Sequence, residues 1–464
     1  MNIRKRCNKK VRLIAGTIAI AGGLAVSSAQ ANELYFDFNT NSLATPNASV
    51  FLFGNVGQTA TVSNLAGFNQ NVVLGSEGFF NLSISNTYQQ SGTGIRNTGF
   101  RVVSPDPIAG YFVNRAPQTT DMTYLLDDGA LDTDYVIASQ DRGFGEGSQV
   151  MIHATENNTS VTFNPIGGAE VNVTLDAGET YKYAGGSTNL TGSTVSADKN
   201  VAVFGGHHCA QVPAGRTACD NLLEQMIPTS KLSTNYLVTA SDQAGGVVGS
   251  DLMRVIATAD NTEVKVDGVV VATLDTGEFH EFSLSGGTGA EIEGSNPVMV
   301  AQYLLGTGSS GQLTDPAMAL VPGSDTWLDS YRLSTPSGAQ VFPENFASLI
   351  LQTTDLLSLM LDGILVDTSL FGAIGGTGFS RGIVDLPIGL FDLTADSPFL
   401  VMLGGGGSFD SYLTYGGSSF APGISPPIDP PIDPPVNPVS EPASLALFGM
   451  GLLGLGSMRL RRKS

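Results

Sequence analysis

From Gln149 to Leu223 apolar and polar residues alternate at period two, as in Val171, Val173 and Leu175 against Asn172 and Thr174, with β-branched and aromatic residues enriched. That spacing predicts short antiparallel strands. Turn residues separate them, Glu156-Asn157-Asn158 before one strand and Asp176-Ala177-Gly178 before another, where Asn, Asp and Gly tolerate left-handed backbone angles. The block then returns around Arg254: ATENNT recurs as ATADNT, and LDAGETYKY as LDTGEFHEF. Weaker copies flank this pair, SVFLFGNVGQTATVS before it and LILQTTDLLSLMLDGILV after it. The pattern therefore predicts four tandem repeats of about 100 residues, a size that suits a small sandwich. Their expected bounds are 32–134, 135–235, 236–330 and 331–417, each opening on a strand that bears Tyr35, Tyr135, Tyr236 or Tyr331.

The expected fold class is all-β, with β-sandwich-like units, because ordinary propeller blades run only about 40–50 residues. The alternative is that the repeats close on one another into one ring or propeller-like body. The connecting segments align at Asp121, Asp220 and Asp315, acids that read as cap candidates before binding residues, and Asp315-Pro316 predicts the cap and first position of a short helix.

Composition supports a packed body: 42% of residues are apolar and only 14% charged, and 57 glycines suit many tight turns. Charge is uneven. Ten of the 22 basic residues lie within residues 1–12 and 459–463, which leaves 12 basic against 42 acidic groups in the remainder, a formal charge of −30. Nucleic acid and anionic membrane surfaces are disfavoured partners, since neutralising phosphates needs clustered Lys and Arg. Divalent cations or a hydrated matrix are compatible with it.

The two ends are of another kind. Residues 1–31 read as a signal peptide, with six basic residues up to Arg12, an apolar run from Leu13 to Val26, and Ala29-Gln30-Ala31 before the cut. An apolar run of about 14 residues is short of the roughly 20 that span a bilayer. Residues 418–438 form a proline-rich stalk that favours extended polyproline II. Residues 439–464 carry Ser440-Glu441-Pro442, an apolar run from Ala443 to Met458, and basic Arg459, Arg461, Arg462 and Lys463. This tripartite tail resembles the PEP-CTERM sorting signal, with Ser440 where that family has its first Pro. The resemblance implies a Gram-negative exporter of polysaccharide, an exosortase-type processing enzyme as partner, and transient inner-membrane anchoring by an apolar transmembrane segment. Surface display or secretion would follow.

Over Tyr135 to Leu237, ATENNTSVTF, DAGETYKY, SADKNVAVFGGHHC and CDNLLEQMIP resemble the N-terminal domain of the IgGFc-binding protein family. The resemblance implies a secreted, non-enzymatic surface module. Cys7 leaves with the signal, and Cys209 and Cys219 close a loop of 11 residues in an exported chain, which predicts a disulfide. A zinc site from His207, His208, Cys209 and Cys219 is the alternative, against which stand the ligand spacing and the opposite faces taken by adjacent strand residues. The resembling family has the same Cys-to-Cys loop, which favours the bridge.

Recognisable catalytic motifs are absent: there is no GxSxG, HExxH or GxxxxGK[ST], and the four histidines are His153, His207, His208 and His280. Asp127, Asp128, Asp132 and Asp134 cluster in a connector, where they are candidate Ca²⁺ donors without EF-hand spacing. The functional expectation is an exported, non-enzymatic binding or scaffolding protein that holds extracellular polysaccharide or biofilm matrix through several copies. The alternative is an extracellular hydrolase of matrix polysaccharide using paired carboxylates. No resident cofactor is expected.

Overall fold

Strands dominate the computed structural model, which describes residues 32–41, 47–141, 143–216, 218–241, 250–306, 315–338, 341–407 and 409–420. Grouped by sheet, they form four units of one strand order. In the first, one sheet runs Asn32–Phe36, Phe100–Ser104, Thr59–Asn64, Asn69–Val73, and the other Phe79–Ile84, Asn47–Phe53, Ala109–Ala116, Thr119–Tyr124. The third repeats this with Asn235–Thr239, Gly289–Gly294, Thr262–Val266, Val269–Leu274, and with Phe279–Ser285, Ser250–Ala257, Val298–Leu304, Ala317–Leu320. In the second and fourth units a single long strand, Thr194–Ala210 or Leu390–Gly407, runs through both sheets and joins them into one of eight strands. The period-two pattern explains the burial: along Thr159–Asn164, Thr159, Val161 and Phe163 are buried while Ser160 and Asn164 face solvent. The all-β, sandwich-like class is thus the fold observed.

The recurring sequence motifs lock corners and turns. Tyr135, Tyr236 and Tyr331 each donate a hydroxyl hydrogen bond of 2.6 Å across the unit, to the carbonyls of Val201, Val298 and Phe399. Each hydroxyl also accepts the backbone N–H three residues upstream, from Asp132, Ser233 and Leu328. Tyr35 departs from this pattern and donates to the Glu33 carboxylate. In the duplicated turns Asn158 and Asn261 adopt φ of 55° and 57°, where Asn is tolerated. Their N–H groups donate to Asp176 and Asp275, whose own N–H groups donate to Glu179 and Glu278. The repeated ATENNT and LDAGET motifs are therefore paired turns held by side-chain caps.

The last strands of the four units, Thr119–Tyr124, Asp220–Gln225, Ala317–Leu320 and Asp410–Tyr415, meet in a buried hub. Side chains link them where no ladder does: Asn221 and Gln225 donate backbone N–H to Thr119 and Thr123 of the first unit. Tyr124 donates to Thr414, Asp315 N–H to Ser411, and Leu320 to Glu224. Asp121 is the common acceptor. It takes N–H bonds from Met122 at 3.0 Å, Leu223 at 3.0 Å, Met318 at 3.2 Å and Leu413 at 3.4 Å, one from each closing strand. Sandwich units and a closed centre thus coexist. The short helix expected at Asp315-Pro316 is not there: the chain passes directly into the strand Ala317–Leu320, because Asp315 is committed to the hub and the next residues pair with Ala301–Leu304.

Cations sit at the junctions between units. Lys182 reaches from the second unit to Thr40 and Gln90 of the first, paired with Glu146 at 2.8 Å. Arg254 of the third unit donates to Ser139, Thr191 and Gln140 of the second while paired with Glu281. Arg381 lies against Gly287, and Arg115 of the first unit pairs with Asp410 of the fourth. A buried ion stripped of water is costly unless it is paired and hydrogen-bonded, so these contacts fix how the units meet.

Candidate functional site

A cleft of about 570 Å³ opens beside the disulfide in the second unit, lined by Asp141, Phe144, Ser187, His207, Gln211 and glycines at 143, 145, 147 and 186. Its shape begins with a break in the ladder. The strand Gly143–Ala154 pairs with Thr194–Ala210, but after Phe144, which still pairs with Cys209, the register slips until Ser148, leaving Gly145-Glu146-Gly147 as a bulge in the run GFGEG. Only glycine fits two of its positions. A Cβ on Gly147 would lie 1.5 Å from the Gly186 carbonyl oxygen, and one on Gly145 would enter the His208 ring, both at positive φ. Glu146 N–H donates to His208 Nδ1, and the Glu146 carboxylate turns away toward Lys182, Thr40 and the N–H of Gly92.

Phe144, the last ladder-paired residue before the bulge, is 61% exposed. Across the cleft His207 is buried at the floor. Its Nδ1 accepts the N–H of Cys209 at 3.0 Å, which places the imidazole proton on Nε2, and Nε2 has no hydrogen-bond partner among the described residues. Burial, helped by nearby His208, pushes the His207 pKa down to about 4, so the ring is neutral at physiological pH. An exposed aromatic face, a neutral imidazole donor, the Asp141 acceptor and the Gln211 amide make a surface suited to holding a polar ligand with one apolar side.

The residues singled out from sequence fall in several places. Cys209 and Cys219 are joined, with Cα atoms 5.1 Å apart, so neither is a zinc ligand. His153 lies buried between the first two units, 3.3 Å from Asp37 and edge-on to Tyr35, and His280 sits half-buried on the strand Phe279–Ser285. The connector acids have structural partners: Asp127 caps a 3-10 turn through Ala130 N–H, Asp128 accepts Glu33 N–H, Asp132 accepts from Ser230, and Asp134 from Thr133. Among the described residues no group of three or more His, Cys, Asp or Glu is placed to hold a metal. Of the expected stalk, Ser418, Ser419 and Phe420 still pack on the body, with Ser418 Oγ and Ser419 N–H donating to the Thr326 carbonyl; the rest of it, the predicted cleavage residues Ala29 and Ala31 and the sorting motif Ser440-Glu441-Pro442 lie outside the described residues. Among the described residues no helix is long and apolar enough to cross a membrane. Sequence reasoning missed Phe144; the signal that marks it is the glycine-spaced GFGEG, which interrupts an otherwise alternating strand.

Comparison with known proteins follows the same division of the chain. Residues 121–405 match the family model described as IgGFc binding protein, and residues 438–463 match the PEP-CTERM protein-sorting motif. The human (Homo sapiens) IgGFc-binding protein is 30% identical over 295 residues, a stretch that spans 59% of this chain but only 5% of that protein. Among solved structures, Streptomyces avermitilis α-L-rhamnosidase complexed with L-rhamnose aligns with 67% of this chain and 44% of its own at 8% identity. Its TM-score is 0.15, too low to bear on the fold.

Proposed function

The chain belongs to the IgGFc-binding protein family and ends in a PEP-CTERM sorting motif, and from this premise we propose an exported surface protein that holds extracellular polysaccharide without turning it over. The sorting motif supports export and processing by exosortase-type machinery, with the apolar tail as a transient inner-membrane anchor and the proline-rich segment as a stalk. The family it matches is described by binding rather than by catalysis. The relative's name refers to IgG Fc, and that partner is carried here only as a control ligand.

The observation that carries the reading is the cleft beside Cys209–Cys219, where Phe144 stands exposed next to a glycine-locked bulge. Leaving that apolar area in water forgoes on the order of 1 kcal/mol or more of burial, which a ligand seated on the ring would recover. The acids that a hydrolase reading would recruit are engaged otherwise: Asp127 in capping, Asp128 with the Glu33 N–H, Asp121 in the hub. The residues that recur between copies serve corners and turns, so this reading places recognition in the second unit and gives the other units a scaffolding role.

The test is co-sedimentation of the exported protein with purified native matrix polysaccharide, with an Fc fragment in a parallel arm and an assay for released reducing ends. Retention by polysaccharide without sugar release is the expected result. Release of sugar would make the protein a hydrolase, and retention by the Fc fragment alone would replace the ligand.

A further inference from the structure

We propose that the cleft in the second unit is a subsite for one neutral hexopyranose ring of a longer glycan, stacked on Phe144 with its hydroxyls toward His207, Asp141 and Gln211. This deepens the binding reading above and rests on it.

The chemistry of the lining selects the ligand class. A pyranose presents a patch of C–H groups on one face and hydroxyls around its rim, each able to donate and to accept. Phe144 offers an apolar face that packing against C–H groups would cover, and its backbone is held by ladder pairing of Gly143 and Phe144 with Ala210 and Cys209 and, two residues on, by the bonds of Glu146 N–H to His208 and of Gly186 N–H to the Glu146 carbonyl. Such a platform loses little freedom on binding. The rim is matched by one donor from His207 Nε2, an acceptor at Asp141 and the mixed amide of Gln211. Volume is consistent, since about 570 Å³ accommodates one sugar ring with room for the neighbours of a chain to leave through the open side.

Charge ranks the nearest competitors lower. His207 is neutral, and the Asp141 carboxylate in the lining, within a body of formal charge −30, disfavours a uronic acid or sulfated sugar against a neutral one. A cationic peptide would be attracted by Asp141, yet the imidazole N–H at the floor would face its ammonium unpaired.

The experiment is isothermal titration of the exported protein with cellohexaose, maltohexaose, a neutral oligosaccharide pool from partial hydrolysis of the native matrix, polygalacturonate, and an oligolysine peptide. At least one neutral glycan should saturate a single site. Phe144→Ala should weaken that binding about tenfold, and Phe144→Trp should retain it. His207→Ala, which also tests the floor donor, should weaken it with the melting temperature monitored to separate folding from binding. No saturation by any neutral glycan, or equal affinity of Phe144→Ala, overturns the subsite. Preference for polygalacturonate or oligolysine does so too. If Phe144→Ala still co-sediments with matrix like the wild type, the surface-binding function stands and this subsite falls. If neither protein is retained, both fall.

Discussion

Replacing Asp121 by Asn tests whether one carboxylate ties the four units together. Asp121 is fully buried, and its Oδ1 accepts from Met122 and Leu413 while its Oδ2 accepts from Leu223 and Met318. Burial pushes its pKa well above the usual carboxylate value, opposed by the pull of those four N–H groups. Asn keeps the volume but turns one acceptor into an NH₂ donor. Whichever way the amide is placed, two N–H groups from the hub lose their acceptor and face a donor. At about 1–3 kcal/mol for each buried group left unsatisfied, the loss is about 2–6 kcal/mol. Unfolding entropy of about 2.1 cal/mol/K per residue over roughly 390 residues converts this to a fall in Tm of about 2–7 °C. Differential scanning calorimetry of the exported protein should register it, with exposed Asp106→Asn as the control that leaves Tm unchanged. A D121N protein that melts within a degree of the wild type would refute the idea that this carboxylate holds the hub.

Four further outcomes are expected. Burial and the neighbouring Asp410 carboxylate raise Asp315 to about 7, and because that folded-state pKa lies above the unfolded one, its penalty is absent below about pH 4 and complete above about pH 7. Asp315→Asn should therefore unfold level with the wild type at pH 4 and be more stable at pH 8, by about 2–4 kcal/mol after allowing for water reaching the carboxyl; equal denaturation midpoints at pH 8 would contradict this. Arg254→Ala removes the buried cation whose charge-assisted bonds to Ser139, Thr191 and Gln140 join the second and third units and leaves Glu281 without its partner, so urea unfolding should show a loss of about 3–5 kcal/mol, and a loss under 1 kcal/mol would count against a structural role. Mass analysis of exported material should find Asn32 at the N-terminus, and a chain still beginning at Met1 would defeat the signal-peptide assignment. Changing Glu441-Pro442 to alanines should leave unprocessed protein in the inner membrane by fractionation, whereas wild-type partitioning would remove the sorting role from that pair.

What the sequence disclosed and what it hid divide along the range of the forces involved. Period-two alternation is local, so Thr159–Asn164 or Val171–Leu175 could be recognised as strands from their own residues. Turn chemistry is local too, which is why ATENNT and LDAGET stood out and proved to be caps bonded to one another over short loops. The hub was visible only as three aligned acids. Asp121 and Asp220 looked like caps because an isolated Asp before an apolar run usually is one, and nothing in the chain tells that its partners lie in other repeats, such as Leu413, 292 positions away. Asp315-Pro316 misled for the same reason: the local signal for a helix start was outweighed by pairing with Ala301–Leu304 and by the bond to Ser411. The Asp37–His153 contact, the Lys182–Glu146 pair and the Phe144 platform are likewise products of tertiary placement. Phe144 alone left a trace, since a run spaced as Gly-Phe-Gly-Glu-Gly gives up the side chains a strand needs for packing, and a strand that does so at an exposed edge does it to turn one residue outward.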